Sequence, residues 1–372
     1  MNKIKKIIKT TKNKLKSTPQ KIVVGISGGV DSAVALSLLK QQNFAPVGVF
    51  LKFSAWQDKE SDAKKNIYLR DKSIANARQI CQRLDVPFFI YNVASDFNKQ
   101  VVNYFVSELK NNRTPNPCVI CNREFKFKQL FAWAKQHQIE YVATGHYAKI
   151  KKNLVSQKYE LVEAKDKHKD QTYFLSILPQ RWFKNIIFPL GNYLKEEVCQ
   201  IAKRQGLIIK QESQDFCFVS KKIMTQFLKE VIGSQTGQIV DSTGKILGKH
   251  EGLCFYTIGQ RKRINLSNGP YFVEAIDVVK NNLIVTKRRQ EICQQEIILS
   301  PCYFISGEPL KDKMKVMAKI RYQQALNQAV IFPSKNKKKI KVIFTKPQLA
   351  VTPGQFCVFY QGRKCLGGGI IN

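Results

Sequence analysis

Acidic residues are scarce in this chain: 27 Asp and Glu stand against 62 Lys and Arg over 372 residues, a formal charge of +35. That imbalance disfavours cationic partners and favours a polyanion, bound through phosphate neutralisation and counterion release, with RNA or DNA as the first candidate. Lysine supplies most of the excess, so compositional drift in an A/T-rich genome is the competing source. Long apolar runs are also missing: no uncharged stretch approaches the ~18 residues of a membrane span, and no secretory apolar segment follows the charged start. The first 20 residues contain neither arginine nor any acid. This argues against a transit peptide and for a frayed basic extension, although contact with RNA also fits it. Ten cysteines at irregular spacing are too sparse for a disulfide scaffold and indicate a reducing, cytoplasmic setting. There is no internal repeat and no long low-complexity linker. With 44% apolar residues the chain can bury a substantial core, and its length suggests two or three domains.

What is present is most informative at Lys21-Ile-Val-Val-Gly-Ile-Ser-Gly-Gly-Val-Asp-Ser-Ala-Val-Ala35, where a β-type apolar run ends in glycines and opens onto a helical pattern. Glycines let backbone N–H groups approach phosphate oxygens, and a helix N-terminus adds positive potential, so polyphosphate binds there without a lysine. The loop lacks the Gly-Lys-Ser/Thr ending of a Walker loop and the G-x-G-x-x-G of a dinucleotide fingerprint. An ordinary glycine-containing strand-to-helix turn is the plainer alternative.

From Lys21 to about Thr144, predicted strands at 22–26, 46–51, 87–93 and 141–144 alternate with helices near 31–42, 72–84, 95–110 and 122–137. Alternation implies a doubly wound parallel sheet whose ligands bind beyond the carboxyl ends of its strands. After a helix near 221–232 come short glycine-punctuated β runs, and from about 295 strands at 314–322, 328–332, 339–345 and 355–360 predict a closing β-barrel. The expected divisions are a basic extension 1–20, a catalytic α/β domain 21–218, a small central α+β domain 219–293 and a β-barrel 294–372.

Thr114-Pro-Asn-Pro-Cys-Val-Ile-Cys-Asn-Arg-Glu-Phe-Lys-Phe127 passes from a proline-stiffened loop into a helix with Phe127, Leu130, Phe131 and Ala134 on one face. This spacing predicts Cys121 near the helix N-terminus with Arg123 close behind, two features that lower a thiol pKa. A lone C-x-x-C reads as a redox pair, half a zinc site or coincidence. No second C-x-x-C or paired His follows at zinc-finger spacing, which argues against structural zinc. Cys217, in Ser213-Gln-Asp-Phe-Cys-Phe-Val, would by itself be read as a core cysteine.

Taken with Ala143-Thr-Gly-His-Tyr-Ala148, Lys169-Asp-Gln-Thr-Tyr-Phe-Leu-Ser176, Phe188-Pro-Leu-Gly191, Thr257-Ile-Gly-Gln-Arg-Lys262 and Thr352-Pro-Gly-Gln-Phe356, these segments resemble, in order and from end to end, the MnmA-type tRNA 2-thiouridylases of the PP-loop ATP pyrophosphatase superfamily. The resemblance implies ATP-dependent exchange of oxygen for sulfur at C2 of the wobble uridine of tRNAs for Lys, Glu and Gln. O2 is adenylated, pyrophosphate leaves, and sulfur then displaces AMP. It implies Cys217 as persulfide carrier and Cys121 as second catalytic cysteine. Gly25, Ile26, Ser27, Gly28, Gly29, Val30, Asp31, Ser32, Leu51 and Gly145 correspond to the ATP site. Asn116, Pro117 and Cys118 correspond to the loop meeting the target base. His146, Lys169, Asp170, Gln171, Arg321, Tyr322 and Gln355 correspond to tRNA contacts. Magnesium is expected with ATP, with Asp31 as a candidate ligand or else a cap of its own helix. A sulfur donor, either a cysteine desulfurase or a relay of carriers, is the expected protein partner.

Two departures stand out. Many relatives carry Asp where this chain has Cys118, so that carboxylate's proton transfer falls to the thiol, to water or to nothing. Cys118, Cys121 and Cys217 together also have the makings of three corners of an iron–sulfur cluster, an alternative to the persulfide. Secondly, Arg263-Ile-Asn-Leu-Ser-Asn268 replaces a run that is usually glycine-rich. A nitrogen-inserting PP-loop ligase and a non-catalytic basic RNA-binding module are the rival functions.

Overall fold

A computed structural model describes residues 19–53, 63–207, 218–219, 224–335 and 339–372, with backbone alone for 63–70. Five parallel strands form the first sheet: β1 (Gln20–Gly25), β2 (Phe44–Lys52), β3 (Phe88–Asn92), β4 (Tyr141–Thr144) and β7 (Ile186–Ile187), in the order β3-β2-β1-β4-β7. Side chains alternate across a strand, and the two faces bury separate cores. Val23, Val49 and Val142 face a cluster with Phe127, Leu130 and Trp133. Ile22, Val24 and Ala143 face Val34, Leu38 and Leu39 of the helix Val30–Gln41. The chain leaves β1 for β2 on one side and later returns to β4 on the other, so a crevice opens at the carboxyl ends of β1 and β4.

The helix Met224–Ile232 precedes a four-stranded sheet of β8 (Gly237–Val240), β9 (Ile246–His250), β10 (Phe272–Asp277) and β11 (Asn282–Thr286), ordered β10-β11-β8-β9. In the loop before β10, Arg263, Asn265 and Asn268 have φ of 69°, 53° and 60°. Non-glycine residues, two of them asparagine, take the left-handed conformations that a glycine-rich run would otherwise supply.

The last sheet closes: β12 (Cys293–Phe304), β13 (Met314–Lys319), β14 (Asn327–Pro333), β15 (Ile340–Leu349), β16 (Phe356–Gln361) and β17 (Lys364–Ile371) run β12-β15-β14-β13-β16-β17, and β17 pairs back with β12. The closing strand carries Gly367-Gly-Gly369, whose added Cβ atoms would lie 2.1 Å from Tyr303 O, 2.6 Å from Cys357 O and 2.8 Å from Pro301 O. Strand reading from side-chain propensity stops short of it because this strand is selected for close backbone approach. The hairpin of β5 (Lys149–Lys152) and β6 (Tyr159–Val162), inserted after β4, adds to β17 through Leu161 opposite Cys365. The α/β region and the barrel thus share one continuous ladder.

Candidate active site

Three segments leave the carboxyl end of the parallel sheet and meet around one helix. The first, after β1, is the glycine loop. Gly28 has φ +80°, and a Cβ there would lie 2.4 Å from the Ser73 carbonyl oxygen, so both conformation and space require glycine. The loop holds its own shape: the Ser27 N–H donates to Ser32 Oγ at 3.2 Å, and Ser32 Oγ–H donates to Gly29 O at 2.9 Å. The Ala33 N–H is taken by Gly29 O, which leaves Val30, Asp31 and Ser32 N–H without intrahelical acceptors at the positive end of a 12-residue helix. Asp31 does not cap that helix. Its Oδ1 accepts from Tyr147 OH at 2.8 Å and from Lys195 Nζ at 2.5 Å. Lys195 is a site neighbour that no motif near the loop announces. Gly145 closes the crevice, since a Cβ there would meet the Asp31–Ser32 backbone at 2.8 Å.

The second segment follows β2. Leu51 packs into both the α/β core and the aromatic cluster beside it, and Phe53 stacks on Phe97 at 4.1 Å and meets Phe125 edge-on at 5.7 Å. The third follows β4, where His146 stacks on Phe127 at 5.9 Å and shares a 2.7 Å hydrogen bond through Nδ1 with Thr144 Oγ1. Burial, reinforced by Lys126, holds His146 well below its ordinary pKa, so it is a neutral imidazole.

The central helix comprises Pro117–Ile120, a π turn Cys121–Lys126 and Phe127–Gln136. Asn116 caps it by accepting the Val119 N–H at 3.4 Å, and Pro117 occupies the first turn, where its missing N–H costs nothing. The helix begins at Pro117 rather than near 122, so capping at Asn116 puts Cys118 in the first turn and Cys121 one turn further in, near the N-terminus but not at it. Its environment also reverses the expected electrostatics. Cys121 is 8% exposed among Phe97, Phe125 and Phe218, and burial pushes its thiol up to about 11, opposed by Lys126. Cys118 is raised too, by the same two opposing influences. Arg123, the expected thiolate partner, turns away: it pairs with Glu124 at 2.9 Å and lies 4.0 Å over the Tyr303 ring. Lys126 is therefore the cation that acts on the two thiols, brought there by the π turn, a device common at functional sites and invisible to 3.6-residue periodicity.

Cys217 lies outside the described residues. The residue after it, Phe218, is 2% exposed in the cluster that buries Cys121, with its ring 5.9 Å from Phe97 and 5.4 Å from Phe105. Among the described residues no three His, Cys, Asp or Glu side chains gather as a metal site.

The remaining predicted residues divide into two groups. Asp170 is 5% exposed, with its oxygens accepting from the Ala164 N–H and Thr172 Oγ at 2.9 and 2.6 Å. Gln171 binds the Tyr147 backbone in both directions at 2.9 and 2.8 Å. Tyr322 lies 4.4 Å from the Phe174 ring. Lys169 is exposed. Arg321 and Gln355 line a cleft of about 280 Å³ with Thr114, Thr257, Gly259 and Gln260, residues from all three regions. Gln355 Nε2 donates to Thr114 O and Pro115 O at 2.9 and 3.2 Å, docking the proline loop on the barrel.

Fold and site together define a nucleotide-binding α/β protein that carries a buried cysteine centre and two β-rich appendages. The family described as tRNA methyl transferase HUP domain matches residues 20–221, the tRNA methyl transferase PRC-barrel domain 225–287, and the aminomethyltransferase beta-barrel domain 294–371. A tRNA-specific 2-thiouridylase MnmA of Clostridium botulinum is 39% identical over 360 residues, 95% of this chain and 98% of the relative. That of Halothermothrix orenii is 42% identical over 357 residues, 94% and 98% of the two chains. This chain belongs to the MnmA family of tRNA-specific 2-thiouridylases. A solved structure of a predicted tRNA methyltransferase subunit from Methanocaldococcus jannaschii aligns at a TM-score of 0.34 and 15% identity over 57% of this chain and 87% of its own, too weak to bear on the fold.

Proposed function

We propose that this chain is an ATP-dependent tRNA-uridine 2-sulfurtransferase acting on the wobble uridine of tRNAs for Lys, Glu and Gln. The observation that carries this reading is the meeting of the glycine loop with the helix of Cys121 at one end of one sheet: a Cβ on Gly25 would lie 2.9 Å from Leu130 of that helix. Neither a nitrogen-inserting ligase nor a plain RNA-binding module needs a buried thiol on the helix that packs against a phosphate loop.

The free N–H groups of Val30, Asp31 and Ser32 fit a polyphosphate, and Leu51 and Gly145 border the same crevice. Magnesium would accompany ATP and neutralise charge on its phosphates. Asp31 would offer it the oxygen not engaged by Tyr147 and Lys195. Uridine O2 attacks the α-phosphorus and pyrophosphate leaves along the loop, which converts a poor leaving group into AMP. Cys217 carries the sulfur as a persulfide. The Cys121 thiolate attacks the inner sulfur, forming a Cys121–Cys217 disulfide and releasing hydrosulfide, which adds at C2 and expels AMP. Two electrons from an external dithiol restore the pair, a requirement met in a reducing cytoplasm. A cysteine desulfurase or a sulfur-relay protein would reload Cys217. Asn116, Pro117 and Cys118 would border the flipped base, with neutral His146 behind them. Lys169, Arg321 and Gln355 would face the tRNA directly, while Asp170, Gln171 and Tyr322 would act from within the scaffold.

The test is tRNA-dependent release of pyrophosphate from ATP, followed by mass analysis of the tRNA. Sulfur incorporation lost in Cys121→Ser and Cys217→Ser, with pyrophosphate release kept in at least one, supports the reading. Full activity in both serine variants, or activity that tracks bound iron, overturns it.

A further inference from the structure

Lys319 ends β13 at 9% exposure, and its ammonium sits among three tyrosines: 5.7 Å from the ring centre of Tyr173, 5.8 Å from Tyr322 and 5.4 Å from Tyr360. Tyr322 and Tyr360 belong to the barrel, whereas Tyr173 comes from the short helix Thr172–Leu175 of the α/β region. A desolvated ammonium facing several aromatic rings is held more firmly than one in water. Burial draws its pKa down, and Asp170 and then Glu163 oppose this, favouring the charged form. Asp170 is fixed in turn by Ala164 and Thr172, and the Thr172 hydroxyl also lies 3.2 Å from Tyr360 OH. Each of the three rings leads elsewhere. Tyr173 OH donates to Phe356 O at 2.9 Å, beside Gln355, whose amide docks Thr114 and Pro115 immediately before Asn116, the cap of the cysteine helix. Tyr322 follows Arg321 and packs on Phe174 at 4.4 Å.

We infer that Lys319 is a positioning residue that ties the Arg321–Tyr322 corner of the barrel to the Asn116 loop at the cysteine helix, fixing where bound tRNA lies relative to the chemistry. The inference rests on tRNA being the substrate. It accounts for Asp170 lying inside the protein: the carboxylate serves tRNA through Lys319. An arginine fork is too wide and flat to sit among three rings as a compact ammonium does.

The experiment uses the full chain and unmodified tRNA, comparing wild type with Lys319→Met and with Lys319→Met/Asp170→Asn, which leaves no buried charge alone. Both variants are expected to raise the KM for tRNA at least tenfold while changing kcat less than threefold. Amide exchange at 172–176 and 320–324 is expected to quicken in both. If the single variant fails to fold, the double variant decides. If both fail, Lys319→Arg decides, with the same KM rise expected. A folded variant with wild-type KM and exchange overturns the inference, as does an equal loss in kcat and kcat/KM. Absence of tRNA-dependent turnover in the wild type would instead overturn the proposed function, and the exchange measurement would still report on the tether.

Discussion

The glycine loop leaves the strand end on which Leu130 of the cysteine helix packs, yet loop and cysteine turn are built on opposite terms. The loop is made of backbone: its conformation is set by Gly28 at φ +80° and by the Ser27–Ser32 hydrogen bonds, and the helix it opens has first-turn N–H groups without intrahelical acceptors. The cysteine turn is made of side chains sealed in an aromatic cluster, where Cys121 is buried and its thiol raised to about 11. A phosphate site needs positive potential that is present before the ligand arrives, whereas a cysteine that attacks a persulfide benefits from a thiol kept neutral until that persulfide comes. Adenylation and sulfur transfer should therefore break separately.

The largest separation is expected from Cys121→Ser, which should lower sulfur incorporation by roughly three orders of magnitude while leaving tRNA-dependent pyrophosphate release near wild type. Loss of both together would erase the distinction. Gly28→Ala should act in reverse. It forces a left-handed residue, costing about 1–2 kcal/mol, and sets a Cβ 2.4 Å from Ser73 O, so pyrophosphate release should fall by about a hundredfold. Alkylation of Cys121 in the folded variant should keep its wild-type rate.

A smaller effect should come from Lys126→Met. Removing the cation that opposes burial should move the alkaline rise in Cys121 alkylation upward by about one pH unit, with Lys126→Arg largely restoring it. An unchanged profile would deny Lys126 its role. The smallest is a stability effect of Cys121 itself. Its folded pKa lies above its ordinary value of 9.0, so its contribution is complete below 9 and is lost as pH rises towards about 11. Cys121→Ala should flatten that alkaline fall in Tm. His146 works in the other direction: its depressed pKa gives stability above pH 6.5 that is lost as pH falls, and His146→Phe should blunt the acid fall.

The loop was legible because its requirements are local. Glycine positions and a strand-to-helix change of period report backbone geometry directly, and β4 falls at Tyr141–Thr144 as the apolar run indicates. The cysteine turn was legible in composition but not in electrostatics. Which of Arg123 and Lys126 faces the thiols depends on a π turn, and burial of Cys121 depends on Phe97, Phe125 and Phe218 arriving from separate segments. Asp170 shows the same limit, since a charged residue in a polar motif reads as surface until Lys319 is placed opposite it. The closing strand β17 escaped because its glycines answer to neighbouring backbones rather than to any side-chain pattern.

The most direct test of the two-cysteine relay is a single turnover on unmodified tRNA by enzyme loaded with persulfide sulfur, in the absence of reductant, with the cysteine peptides then resolved by mass spectrometry. A Cys121–Cys217 disulfide is expected to accumulate in step with thiolated uridine and only when both ATP and tRNA are present. Thiolated uridine formed while both cysteines remain thiols would contradict it.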